Sequence, residues 1–211
     1  MPRTARIVLP GVPHHITQRG NNRQQVFFDD ADHKAYLAML REEALDHGFR
    51  ILGYCLMPNH VHIVGIPARK ASLARTVGAA NFRYTVHAKR KYRRHGHLWQ
   101  GRFYSCPMDE NHTIRALCYV ELNPVRAGMQ SLAWEYTWSS AKAHSFSHAE
   151  SSLLNLERWR GRFTALEWRE HLLETSGNTA FLNRIRYCTQ KGRPLGDADF
   201  EKRAMRIAKG T

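Results

Sequence analysis

The chain has 211 residues, 43% of them apolar, and its 32 Lys or Arg against 18 Asp or Glu give a formal net charge of +14. That length suits one compact domain, or one domain with a helical extension. No stretch approaches the apolar length a membrane span needs, and no signal-peptide run follows Arg3 and Arg6, so the chain reads as soluble and unexported.

Cys55, Cys106, Cys118 and Cys188 lie far apart and form neither a zinc framework nor a disulfide framework, which fits buried thiols in a reducing cytosol. The positive charge is unevenly placed. Between Asp46 and Asp109, 62 residues carry 11 Lys or Arg and no acid. Solvated surfaces usually mix signs, so this excess points to a polyanion. Nucleic acid is favoured over an anionic membrane, because no basic amphipathic helix with an aromatic face stands apart from the core pattern.

In chain order, residues 14–19 (HHITQR) read as a strand that ends at a Gly-Asn-Asn turn, 20–22. Asp30 looks like an N-cap for a helix over 31–47, closed by Gly48. Residues 49–57 and 60–66 read as strands of a hairpin around Pro58-Asn59. The pattern predicts a long basic helix over 72–94 with Gly96 as its break, then a fourth strand over 98–106. Asp109 or Asn111 caps a helix that runs to about Leu122, where Asn123-Pro124 stops it.

The order β-α-β-β-α-β-α is the split βαβ arrangement of ferredoxin-like α+β folds: an antiparallel sheet with helices on one face. RNA-recognition modules and rolling-circle-type nucleases both use it, so the fold alone does not choose a function. Beyond Gly128, residues 139–155 are rich in Ser, His and Ala and read as a linker, residues 156–190 hold helical patterns, and a last basic helix follows Asp197. The expected division is a domain over 1–130 and a linker with C-terminal helical extension over 131–211.

His60 and His62 stand two apart on a predicted strand, so both rings share one face with Val61 opposite. Two imidazoles so placed can take two sites on one divalent cation, or form a half-buried hydrogen-bonded pair; spacing leaves both open. His95-Gly96-His97 repeats the spacing across a glycine break and reads as a loop. On the helix over 110–122, Arg115 and Tyr119 share a face with Asn123. A phenol can attack a phosphodiester, given help at neutral pH, or it can be a core aromatic; Asn123 can ligate a metal or cap the helix.

Four segments together are more specific: ITQRGNNRQQVF (16–27), LGYCLMPNHVHIV (52–64), LWQGRFYS (98–105) and CYVELNPVRAG (118–128). They resemble the REP-associated tyrosine transposases, relatives of insertion-sequence transposases in the single-tyrosine HUH superfamily. The likeness covers roughly residues 1–140. It implies that His60 and His62 hold a magnesium or manganese ion, that Asn123 is the polar third ligand, and that Tyr119 is the nucleophile. It implies single-stranded DNA with a hairpin, a REP-like palindrome, as substrate, and a 5′-phosphotyrosine and a free 3′-hydroxyl as products without ATP. Monomer and homodimer both occur among such proteins, and the bacterial cytosol, nucleoid-associated when DNA is bound, is the expected location.

The residues themselves add a DNA-binding set. Arg83, Lys89, Arg90, Lys91, Arg93, Arg94 and Arg102 form a cationic track, with Arg115 beside the tyrosine. Tyr92, Trp99 and Phe103 offer base stacking or core packing. The turn with Arg19, Asn21, Asn22 and Arg23 reads as a base-contacting loop. Three rivals stand beside this reading. A non-catalytic hairpin-binding regulator would share the fold. An RNA module would want aromatics on its central strands, where residues 60–66 have none. A zinc hydrolase would want a carboxylate near the histidines, where the sequence has none.

Overall fold

The computed structural model describes residues 6–149, 151–154, 156–175 and 179–209. Strands β1 (His14–Arg19), β2 (Phe49–Met57), β3 (His60–Pro67) and β4 (Tyr104–Pro107) form one antiparallel sheet in the order β2-β3-β1-β4. This is the strand order a split βαβ unit produces, and it confirms the ferredoxin-like α+β class. Helices α1 (Asp30–His47) and α2 (Lys70–Tyr92) make the two crossovers.

Strand alternation sorts the sheet into two layers. Ile16, Val61 and Ile63 point toward α1 and α2, where Tyr36, Leu40, Leu73, Val77 and Tyr84 complete a buried core. Cys55, Val64 and Cys106 face the other way, into a second core with Leu117 and Val120 of α3 (Glu110–Glu121). The crossover helices thus lie on one face, as the pattern predicts, and α3 covers the other.

Helix boundaries follow local chemistry. The Asp29 side chain accepts the N–H of Asp32 at 2.9 Å, one residue before the expected cap, and Gly48 ends α1 at φ 63°. Arg93, not Gly96, closes α2 in a left-handed conformation at φ 49°. The fourth strand is shorter than the expected 98–106. Residues 98–103 form an irregular loop through Gly101 at φ 66°, which tucks Leu98, Trp99 and Phe103 into the first core instead of extending the sheet.

The reading of 139–155 as a linker is corrected in its first half. Ser139, Ser140, Ala141, His144 and Ser145 are buried, around α5 (Ala141–Ser145). Both carboxylate oxygens of fully buried Glu121 are used here: Oε1 accepts from the Ser140 hydroxyl and pairs with His144 Nδ1 at 2.6 Å, and Oε2 accepts the Trp168 indole N–H at 2.8 Å. After a short α4 (Asn123–Arg126), and beyond α5, come α6 (Leu156–Arg160), α7 (Ala165–Glu174), α8 (Thr179–Lys191) and α9 (Ala198–Lys209). Trp168 and Ile185 reach into the second core, so the extension packs directly on the sheet. Among the described residues no helix is long and apolar enough to cross a membrane.

Candidate active site

The alternation that sends Val61 into the first core turns His60 and His62 toward α3. There the two imidazoles lie edge to face, centroids 5.0 Å apart. Tyr119 presents its ring to His62 at 5.4 Å and to His15 at 5.7 Å, each close to perpendicular. His15 arrives from β1 beside β3, where it pairs with Val64 in the sheet register. Helix α3 can approach this closely because Gly53 on β2 has no side chain; a Cβ there would stand 2.5 Å from Leu117 Cδ2.

His15, His60, His62 and Tyr119 line one cleft of about 1100 Å³, with Asn123, Arg126, Arg19 and Tyr104 at its walls. His60 Nδ1 lies 2.6 Å from Asn59 Oδ1, and His62 Nδ1 lies 2.9 Å from His15 Nε2. Each ring's Nδ1 is thus engaged within the protein, which leaves Nε2 as the nitrogen open to a ligand. Asn123 Nδ2 donates to the carbonyls of Tyr119 at 3.1 Å and Val120 at 3.2 Å, so the amide caps α3 and keeps its oxygen for other use. The two roles weighed for Asn123 are compatible in one side chain.

The cleft is cationic and its histidines are neutral. Burial pushes His60 down to about 4, with Arg19 adding to the effect, and burial pushes His15 to about 3. Burial and the neighbouring His60, His15, Arg126 and Arg19 hold His62 well below the usual imidazole range. A neutral imidazole is the form that ligates a metal. Arg126 is the residue most easily missed in the sequence. Its guanidinium lies 4.7 Å over the Tyr119 ring and donates to the Tyr119 carbonyl, while its buried Nε has no partner. No carboxylate faces it among its described contacts, so the charge is available to an anion.

These residues fit a hard divalent ion that needs few protein ligands. Two imidazole nitrogens and one amide oxygen are on offer, and among the described residues no group of three His, Cys, Asp or Glu is placed to hold a metal. Phosphate and water oxygens would fill the remaining positions around magnesium or manganese.

Comparison of the sequence with known families matches residues 10–123 to the IS200-like transposases. The chain belongs to this family. The matched region runs from β1 through His60, His62 and Tyr119 to Asn123. No curated protein matches the sequence. Among solved structures, a REP-associated tyrosine transposase bound to a REP hairpin superposes with a TM-score of 0.60 at 15% identity, covering 72% of this chain and 90% of that one. At that identity the likeness speaks for the fold. A transposase from Deinococcus radiodurans R1 is 20% identical over 57% of this chain and 96% of its own, but its TM-score of 0.39 carries no argument.

In this IS200-like transposase the expected DNA-binding residues fall into separate groups. Arg19, Asn22 and Arg23 line the cleft beside the histidines, and Asn21 stands next to them. Asn22 at φ 50° and Arg23 at φ 60° are both left-handed without being glycine, a strained turn of the kind that concentrates at functional sites. The cationic track is interrupted. Arg83 is bound by Glu42 at 2.6 Å and Glu43 at 2.9 Å, and Lys91 by Asp29 at 2.7 Å and Asp32 at 2.9 Å. The acid-free stretch of sequence packs against the acidic helix α1, so these two charges are spent internally. Lys89, Arg90, Arg93 and Arg94 are not so paired, though Arg94 stacks 4.7 Å over Phe28.

Arg102 lines a separate cleft with Arg6 and Phe103. Arg115 lies 4.2 Å over the Phe181 ring of α8 and does not line the histidine cleft, because it faces the extension one turn before Tyr119. Trp99 and Phe103 are buried, which assigns them to packing, and the Tyr92 hydroxyl donates to Asp32 at 2.8 Å. Tyr104, Arg186, Gln190 and Lys191 line the histidine cleft without having been singled out in the sequence. For the last three the missing signal is long-range: nothing local to 186–191 shows that α8 ends beside β1.

Proposed function

We propose that this member of the IS200-like transposase family is a metal-dependent single-stranded DNA endonuclease and strand transferase. The observation that carries the reading is Tyr119 held 5.4 Å from His62 in a cleft with several cationic walls, where the imidazoles of His60 and His62 are neutral. The Tyr119 oxygen attacks the scissile phosphorus, the phosphorus–O3′ bond breaks, and the products are a 5′-phosphotyrosine and a free 3′-hydroxyl, which can reverse the step to rejoin strands. His60 and His62, with Asn123, would hold magnesium or manganese. When bound, that ion neutralises phosphate charge and orients the group for in-line attack. Arg126 supplies a fixed guanidinium against the charge that develops on the phosphoryl oxygens. Arg19, Asn22 and Arg23 receive the DNA flanking the cut.

The proposed substrate is single-stranded DNA with a hairpin of the REP-like kind, on the strength of the hairpin bound to the structurally similar transposase. Residues 1–130 are proposed as the catalytic unit and 131–211 as an extension that supports it. The enzyme works in the bacterial cytosol, as monomer or homodimer.

The test is cleavage of a labelled hairpin from the DNA flanking the gene, with manganese or magnesium, resolved on a denaturing protein gel. Wild type gives a covalent labelled adduct that Tyr119→Phe lacks. Tight hairpin binding with no adduct in either metal would overturn the reading and leave a non-catalytic DNA-binding regulator.

A further inference from the structure

We propose that His15 and Thr189 are positioning residues that fix His62 in its Nδ1–H tautomer and so reserve its Nε2 lone pair for the metal. This rests on the metal-site reading above and extends it to a helix outside residues 10–123, the stretch matched to the family.

The direction of each hydrogen bond follows from the one at the far end. Thr189 on α8 has a single hydroxyl proton, and it donates to the Ile185 carbonyl one turn earlier at 2.7 Å. Only lone pairs therefore face His15, whose Nδ1 stands 2.7 Å from the Thr189 oxygen and must donate. The Cys106 thiol, 3.3 Å from the same oxygen, takes the remaining lone pair as a second donor. In a neutral imidazole the other nitrogen is then an acceptor, so His15 Nε2 accepts from His62 Nδ1 at 2.9 Å. The proton of His62 is thereby placed on Nδ1.

His60 reaches the same tautomer by a different partner. The Asn59 amide nitrogen donates to the Arg23 carbonyl at 3.2 Å, so its oxygen faces His60 Nδ1, which donates at 2.6 Å. The His15 and His62 rings lie 9° from parallel with centroids 5.1 Å apart, side by side across this hydrogen bond, which holds the orientation of His62. His15 and Thr189 are both buried, so water does not substitute for either partner.

The experiment uses the full-length protein without DNA. Manganese affinity is measured by calorimetry for wild type, Thr189→Val, Thr189→Ser and His62→Ala. Imidazole nitrogen NMR of the metal-free wild type reads the tautomer of His62. The expected results are a protonated Nδ1 on His62, a loss of about 10–100-fold in manganese affinity for Thr189→Val, and recovery in Thr189→Ser. A wild-type His62 protonated on Nε2 overturns the proposal. So does Thr189→Val with wild-type affinity while His62→Ala abolishes binding. If His62→Ala leaves manganese binding unchanged, the metal-site reading itself fails and takes the proposal with it. Should Thr189→Val not fold, the NMR tautomer of the wild type decides the question alone.

Discussion

Arg126 shows what a single residue contributes to this cleft. Its guanidinium is fixed between the ring and the backbone of the proposed nucleophile, and its charge meets no acid there. A planar fork held in place costs no reorganisation when phosphate charge develops. Arg126→Lys keeps the charge and loses the fork, so the rate of adduct formation should fall by about 10²-fold with manganese affinity unchanged. Single-turnover cleavage beside calorimetry measures both; an unchanged rate would remove Arg126 from the chemistry. Strand and helix periodicity assign faces to His60, His62 and Tyr119 locally, but it is the resemblance to the REP-associated tyrosine transposases that singles them out from their bland alternatives. His15 also obeys that rule, since Ile16 lies in the first core and its neighbours must face the second. The rule gave no reason to choose it, because its partner Thr189 is 174 residues away.

At the scale of elements, the site depends on how closely α3 lies on β2. Gly53 sets that distance, and a Cβ there would meet Leu117 Cδ2 at 2.5 Å and Ser140 Oγ at 3.0 Å. Gly53→Ala should therefore destabilise the protein by about 1–3 kcal/mol through overpacking, read as a lower urea midpoint. A midpoint equal to wild type would mean that α3 shifts freely and does not hold Tyr119 in register. The sequence shows the elements themselves well: α1, β2, β3 and α3 lie within a residue or two of their expected bounds. It shows poorly what happens where side-chain burial overrides pattern. Leu98, Trp99 and Phe103 look like strand residues, yet they pack as a loop over the first core. Ser139 to Ser145 look like a linker, yet they are held inside by Tyr54 and Glu121.

For the whole molecule, the net charge of +14 overstates the surface offered to DNA. Arg83 and Lys91 already have carboxylate partners on α1 or at its N-cap, while Arg19 and Lys191 line the histidine cleft. Hairpin affinity should fall linearly with log salt, and Lys191→Gln should reduce the slope by about 0.7, one single-strand phosphate contact. Arg83→Gln should leave the slope as it is. Equal effects from the two variants would restore the continuous track read from the sequence.

Glu121 also sets an order of assembly in time. It leaves the ribosome 19 residues before Ser140, 23 before His144 and 47 before Trp168, the three groups that satisfy its buried carboxylate. Until they emerge, the tyrosine helix carries an unmatched acid on the side it has to bury, and burying it alone is costly. A nascent chain therefore cannot seat Tyr119 early, and the cleft around it, with the cleavage proposed for it, is complete only after Trp168 has been made.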